Sequence, residues 1–320
     1  MLTGVKPWDV VVIGSGACGL TIAHRMQDAG RSALIVDKGS RPGGRLASRP
    51  IAGVMVNQGA DSALVDDPEV AAEITRRTGE HVPPQWTFAQ PAGELAAAWA
   101  TGLTVERMFV AHLAFDLDAA ADAAVVEVAS LDGTDSVTAR SVVITAPVPQ
   151  ALGILARSGE ATALPPVVYE QRLVLLGAVA GQIESGPCDS PIIERVRVRS
   201  AGGAGTSAGA GLAAAATAVE VVATAAWSAA IYGSDATLAH ADLLVELQRM
   251  FPHARLRDTT VKRWRHANAM TTVPGVGFAA TGHPLVTLAG DGFGIGGPPS
   301  TGIERAVRSG IAMANALLKA

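Results

Sequence analysis

Gly14, Gly16 and Gly19 constrain this chain more than any other residues, because they form G-x-G-x-x-G directly after the apolar run Val10 to Ile13. Four β-branched residues in a row suit a strand covered on both faces of a parallel sheet. From Ala17 to Ala29 the apolar positions Leu20, Ile22, Ala23 and Met26 recur at helical spacing, and Gly30 suits a left-handed C-terminal cap. Ala33 to Val36 then reads as a second strand ending at Asp37, which completes a βαβ unit. Gly14 permits a tight turn, Gly16 lets backbone approach a pyrophosphate, and Gly19 lets helix and strand pack closely. The helix N-terminus, at Ala17 and Cys18, offers free N–H groups and partial positive charge to an anion. Asp37 lies about 20 residues on, where a carboxylate accepts from both ribose hydroxyls and repels a 2′-phosphate. The spacing therefore predicts FAD or NAD rather than NADP.

The chain has 320 residues, 49% of them hydrophobic, which is ample for a sizeable core. Its net charge of −4 comes from 25 basic and 29 acidic residues with no Lys/Arg run, which argues against a nucleic-acid partner. Cys18 and Cys188 are too few for a disulfide framework and fit a reducing, cytoplasmic setting. His112, His240, His253 and His283 are scattered without ligand spacing, so no metal is expected. The stretch from Gly209 to Ile231 is long and apolar, but Glu220 near its centre would cost about 2.5 kcal/mol or more in a bilayer. It is read as a loop and a buried strand, with no membrane partner.

Asp66-Asp67-Pro68 followed by Val70, Ala71 and Ile74 predicts a capped helix with proline in its first turn. Thr104 to Phe115, Ala123 to Ala129 and Ser136 to Thr145 predict an antiparallel ribbon whose last strand, Val142 to Ile144, re-enters the main sheet. Leu173 to Val179, Val219 to Trp227 and Thr259 to Trp264 read as strands, and Leu238 to Met250 as an amphipathic helix. Ser200 to Thr217 is a Gly/Ala/Ser tract, read as a mobile loop between two strands. Leu285 to Ala289 predicts a strand, and Ile303, Ala306, Val307, Gly310, Ile311, Ala314 and Leu317 form the apolar stripe of a closing helix.

Arg41-Pro42-Gly43-Gly44-Arg45 resembles the flavin amine oxidase superfamily, in which G-G-R follows the second strand. The resemblance implies that Arg45 faces the FAD pyrophosphate, where a guanidinium fork suits phosphate oxygens, and that Gly44 allows close approach. Asn57-Gln58-Gly59-Ala60 resembles the family's next strand and turn, which place Gly59 beside the flavin ring. Leu288 to Gly294 resembles the second signature, a strand ending at Gly290 and Asp291, whose aspartate meets the ribityl and pyrophosphate region. The resemblance implies that Thr301, Gly302 and Ile303 open the last helix toward the flavin N1–C2=O edge, and that Lys38 and Val110 fall at further FAD-binding positions. Asp37-Lys38, Lys262 to Ala267 and Ser309-Gly310 are similar to renalase and its bacterial homologues. The likeness is specific in the first 60 and last 60 residues.

The resemblance implies an α/β fold. It consists of a Rossmann-like FAD-binding domain with an inserted antiparallel ribbon (residues 1–80, 100–160 and 284–320) and a smaller α+β substrate domain (residues 81–99 and 161–283). FAD is expected to be non-covalent, because no cysteine follows Cys188. Leu175 to Gln182 lacks the lysine that many amine-oxidising relatives place near flavin N5, and neither Tyr169 nor Tyr232 is near the C-terminal signature in sequence. Gln58, Trp264 and His266 are the candidate catalytic residues, the last two alternating on one strand and facing one side. The expectation is hydride transfer to flavin N5 from a small substrate, the misreduced NAD(P)H isomers among them, with dioxygen as acceptor. An amine oxidase, a desaturase or isomerase, and a non-catalytic FAD module remain open.

Overall fold

The apolar run becomes β1, Trp8–Ile13, in which Val10, Val11 and Val12 have no exposed surface. It pairs in parallel with β2, Ala33–Asp37, and with Ser136–Ile144 on its other side. The intervening helix α1, Ala17–Asp28, buries Leu20, Ile22, Ala23 and Met26 against the sheet, as the spacing predicts. Thr104–Arg107 extends the sheet beyond β2, and Val286–Ala289 followed by the antiparallel Gly277–Ala279 extends it beyond Ser136–Ile144. The structure is a computed structural model and describes residues 6–116, 125–160, 162–180, 183–199, 217–275, 277–279, 285–294 and 302–320.

The ribbon is formed by Val110–Asp116 and Val125–Ser130, which pair antiparallel onto the first half of Ser136–Ile144. The expected single strand from Thr104 to Phe115 therefore divides. Its first part joins the main sheet, and the Met108 N–H then donates to the Asp37 carbonyl at 2.8 Å before the chain turns into the ribbon. Asp67 caps the helix Pro68–Thr78, accepting from the N–H groups of Glu69 at 2.9 Å and Val70 at 3.4 Å. The closing helix, Gly302–Leu317, crosses α1 so closely that a Cβ on Gly310 would stand 2.8 Å from the Cys18 carbonyl oxygen.

A second sheet is antiparallel, in the order Gly186–Pro187, Ile193–Arg199, Thr217–Ala223, Tyr169–Ala180, Arg255–Ala269. One face buries Leu173, Leu175, Val219 and Val221 against Leu243 and Leu247 of the helix Ala236–Met250. The other buries Val174, Leu176, Ala178 and Val222 against Ile51, Val54 and Val56 of the hairpin Ser48–Ile51 and Val54–Asn57. The strand expected from Val219 to Trp227 stops at Ala223. There the Thr224 hydroxyl accepts from the Trp227 N–H and starts the helix Ala225–Ile231.

Residues 81–99, expected in the smaller domain, pack on the first unit. Trp86, Phe88, Leu95, Ala96 and Trp99 pack in one core with Leu20, Ile22, Val70 and Ile74, and His24 Nε2 bonds the Trp99 carbonyl at 2.6 Å. Val167, Ala269 and Val273, also assigned to the substrate domain, share a core with Val142 and Leu288 of the main sheet. The Gly/Ala/Ser tract lies outside the described residues up to 216, and Thr217 opens a strand. Among the described residues no helix is long and apolar enough to cross a membrane.

Candidate dinucleotide and substrate site

The glycine loop has the geometry its spacing demands. Gly14 adopts φ +114°, and a Cβ there would stand 2.6 Å from Thr145 Oγ1; a Cβ on Gly19 would come within 2.0 Å of the Gly14 carbonyl oxygen. At Gly16 the same construction meets nothing within 4 Å, so the loop opens on space. Gly44 faces it, with φ +55° and a Cβ position 3.6 Å from Gly16 Cα, while the Gly43 N–H holds the Ser15 carbonyl at 2.9 Å. No side chain caps α1, and its first turn has no acidic residue. This uncapped helix end between two glycines fits a pyrophosphate. Gly16 and Ala17 line the cavity, whereas Cys18 is buried behind them and burial pushes its thiol up.

Asp37 is more occupied than its predicted role implies. One carboxylate oxygen accepts both the N–H and the hydroxyl of Ser15 at 2.7 Å, and the other accepts the Gly39 N–H at 2.7 Å. The carboxylate braces the glycine loop, and its second oxygen retains acceptor capacity for a ribose hydroxyl. Beyond it, Lys38 Nζ stands 6.0 Å from the Phe109 ring centroid. Val110 is buried in the core beside the ribbon and does not line the cavity.

Arg45 and Asp291, both expected on the cofactor, clasp each other through Nη1–Oδ2 and Nη2–Oδ1 contacts of 2.7 Å. Asp291 is 4% exposed and needs a counter-charge. Burial opposes the Arg45 charge, but the Asp291 carboxylate outweighs it and raises the guanidinium above its ordinary pKa. Arg45 also donates to the Ala267 carbonyl at 3.0 Å. A Cβ on Gly302 would stand 3.6 Å from Asp291 Oδ2, which sets the N-terminus of the closing helix beside the pair. Gly290, at φ +138°, donates its N–H to Ser309 Oγ at 2.9 Å. Thr301 lies outside the described residues.

Between these parts and the second sheet lies a cavity of about 260 Å³. Gly16, Arg45, Gly59, Gly302 and Ile303 line one side, and Arg172, Val174, Val222, Trp264 and Asn268 the other. Trp264 Nε1 donates to the Gln58 carbonyl, and the indole sits 3.6 Å from the Cβ position of Gly59. Gln58 itself is outside the lining and acts on the wall through its carbonyl, which holds the Trp264 indole. His266 does not share the Trp264 face as predicted. Arg172 pairs with Trp264, but Glu170 pairs with Asn268, so a bulge over residues 265–267 breaks the alternation. His266 stands outside the lining, edge-on to Tyr169 with centroids 5.0 Å apart, and burial followed by Arg265 and Arg45 lowers its pKa.

Several residues of this region escaped the sequence reading. Tyr169 is far from the C-terminal signature in sequence, yet its hydroxyl lies 2.8 Å from the Cβ position of Gly292, and burial pushes it up to about 12. Lys262 stands 4.4 Å from the Trp264 ring centroid, its pKa lowered by burial, then by Arg49 and Lys38. Arg195, Arg197 and Arg199 alternate on one strand, a pattern that by itself reads as a solvated face. Among the described residues no His, Cys, Asp and Glu cluster could hold a metal.

The chain has a mixed α/β fold with a Rossmann-like dinucleotide-binding unit. A family model described as an NAD(P)-binding Rossmann-like domain matches residues 12–74. The FAD-dependent oxidoreductase oblC of Cochliobolus heterostrophus is 52% identical over 40 residues, which span 12% of this chain and only 8% of that protein. Among solved structures, wild-type putrescine oxidase bound to putrescine superposes with a TM-score of 0.63 at 12% identity, covering 98% of this chain and 100% of that one. A fatty acid isomerase from P. acnes that produces CLA gives 0.63 at 10% identity over 98% and 99%, and the flavin-dependent brominase Bmp2 gives 0.54 at 13% over 98% and 79%. At such identities the likeness is one of fold.

Proposed function

We propose that this protein is an FAD-dependent oxidoreductase that takes a hydride from a small molecule held between the two sheets. The observation that carries this reading is the continuity of the open Gly16–Gly44 cradle, through the Arg45–Asp291 clasp and Gly302, with a cavity walled by the second sheet. Gly14, Gly16 and Ala17 would hold the pyrophosphate, Asp37 a ribose hydroxyl, and Arg45, Asp291, Gly302 and Ile303 the stretch leading to the flavin. Bound FAD would supply a hydride acceptor at N5 and a path for electrons to dioxygen. Neither Cys18 nor Cys188 lines the cavity, which supports non-covalent binding. Acid precipitation should release yellow flavin; protein that binds NAD and no flavin overturns the cofactor assignment.

The wall supports a substrate that needs no base. Among the described residues Glu194 is its only carboxylate on the second-sheet side, and although burial opposes this, Arg195 and Arg172 hold its pKa below the usual range. His266 stands outside the lining. A dihydropyridine is already a hydride donor, so the site must only orient it and exclude water. Misreduced isomers of NAD(P)H, carrying the extra hydride at the 2 or 6 position of the nicotinamide, fit this requirement. Anaerobic mixing with those isomers should bleach the flavin quickly, and ordinary NADH and primary amines should act slowly or not at all. Rapid bleaching by a primary amine, or none by either isomer, removes the substrate assignment and leaves the cofactor assignment standing.

A further inference from the structure

A larger cavity, about 830 Å³, adjoins the first and shares Glu194, Arg195 and Arg197 with it. That volume suits a small molecule or a substantial part of one. Two buried polar atoms on its wall have no hydrogen-bond partner among the described residues: Asn57 Nδ2 and Glu220 Oε2. The Asn57 amide cannot be turned to cure this, because its Oδ1 already accepts the Ala92 N–H and the Ser48 hydroxyl, each at 2.8 Å. Glu220 is 4% exposed; Arg197 Nη1 stands 3.8 Å from Oε2, beyond hydrogen-bond range, and its guanidinium is taken up by Asp61 at 2.9 Å and the Gly59 carbonyl at 3.0 Å. Unpartnered buried groups of this kind are costly and are uncommon without a purpose.

The charge balance points to an anion. Arg195 pairs with Glu194 and Arg197 with Asp61, whereas among the described residues Arg199 hydrogen-bonds the carbonyls of Phe88 and Ala89, at 3.3–3.4 Å, and no carboxylate. Glu220 faces Arg197 and Arg199 from its neighbouring strand, Asp61 from the turn, the Asn57 N–H from the hairpin, and the apolar Leu176 across the sheet. Burial outweighs the two arginines and pushes its carboxyl up to about 8, so at neutral pH it is a protonated acid. Three guanidiniums then meet two carboxylates. The unused groups are all donors: an amide N–H, a carboxylic O–H and spare guanidinium N–H groups.

We propose that this second cavity is a subsite for an oxyanion, a carboxylate or a phosphate monoester, held by Asn57, Glu220 and Arg199 on a small molecule whose other end reaches the first cavity. The statement that this molecule is the redox substrate rests on the function proposed above; the binding of the anion does not. It makes the enzyme selective for anion-tailed donors and couples binding to the proton on Glu220. Below about pH 8 the neutral acid donates to the anion, and above it the ionised carboxylate repels the same group.

The test is calorimetric titration of inorganic phosphate and of acetate into the full-length protein between about pH 6 and 10. At least one should bind, with affinity level below about pH 8 and falling about tenfold per pH unit above it. Glu220→Gln should abolish that fall, and Arg199→Gln should weaken binding about tenfold or more, as for a lost hydrogen bond to a charged group. Phosphate held instead at the glycine loop would ignore both substitutions, and that outcome, like no binding of either probe, overturns the proposal. If Glu220→Gln does not fold, Arg199→Gln decides alone. Protein that purifies without flavin yet shows the expected titration would refute the redox reading and uphold the subsite.

Discussion

On the side of the glycine loop the cavity is walled largely by backbone, at Gly16, Gly43, Gly59 and Gly302 with Arg45 beside them, whereas on the second-sheet side Arg172, Arg195, Arg197 and Trp264 present long side chains. The glycine loops behind the backbone wall are fixed by close approaches that forbid a Cβ at Gly14, Gly19 and Gly43; the side-chain wall is fixed by ion pairs and a bulge. A wall built from peptide groups recognises what every dinucleotide shares, its pyrophosphate. A wall built from guanidiniums and an indole can be retuned residue by residue without touching the fold. One side of the site is thus generic and the other specific, and substitutions on the two sides should fail differently.

The largest expected effect is on the backbone side. Gly19→Ala would place a Cβ 2.0 Å from the Gly14 carbonyl oxygen, where both partners are rigid backbone. Separating α1 from β1 should cost about 3 kcal/mol or more, read as a lowered midpoint in urea together with loss of dinucleotide binding. A variant that unfolds like the parent would show that helix and strand do not approach as closely as described.

The next effect belongs to the adjoining second cavity, on the strands that carry the side-chain wall, and has the opposite sign. Glu220 titrates near 8 in the folded protein, through burial, against an ordinary value of 4.5. Between those values the folded state holds one proton more than the unfolded, so stability falls as pH rises across that window and levels off above 8. Glu220→Gln keeps the shape and removes the ionisation. It should raise stability by a few kcal/mol at about pH 8 and flatten the urea midpoint between about pH 5 and 8. An unchanged slope would mean that another group carries the linkage.

The same contrast explains what was legible in the sequence. Gly14, Gly16, Gly19 and Asp37 announce themselves because a turn, a close approach and a strand end each demand one residue type at one spacing. Asp67 and Pro68 announce their helix for the same reason. Arg195, Arg197 and Arg199 do not, since alternating charges on a strand are equally suited to water, and only the hairpin packed beside them makes them a wall. Residues 81–99 were misassigned because Trp86 and Trp99 carry no signal of which core they enter. The bulge that turns His266 aside depends on the pairing of Glu170 with Asn268, a register no local pattern reveals.

Asp37→Ala sharpens the backbone side further. Besides offering an acceptor to a ribose, the carboxylate holds the Ser15 N–H and hydroxyl and the Gly39 N–H. FAD retention should weaken by about 1.5–3 kcal/mol, as expected when a hydrogen bond to a charged group is lost. Because the brace is lost with the acceptor, the apo protein should also lose stability. Equilibrium dialysis of the flavin and thermal melting of the apo form measure the two losses separately. Retention at the parental level would mean that the ribose is bound elsewhere.

Trp264→Phe should have the smallest effect and distinguishes most finely between wall and core. The indole N–H donates to the Gln58 carbonyl, so its removal leaves that carbonyl short of a partner at a cost of about 1 kcal/mol. Phenylalanine keeps an aromatic ring beside Lys262 on the same strand, so the fold should tolerate the change. If Trp264 served only to pack the junction between the sheets, the midpoint would drop by that amount while substrate affinity and the flavin spectrum stayed constant. A wall residue gives a different signature: the Gln58–Gly59 turn relaxes, so the flavin absorption bands and the KM shift while kcat changes little. The ratio of the KM change to the stability change therefore reports how far the specific side of the cavity is separable from the scaffold that carries it.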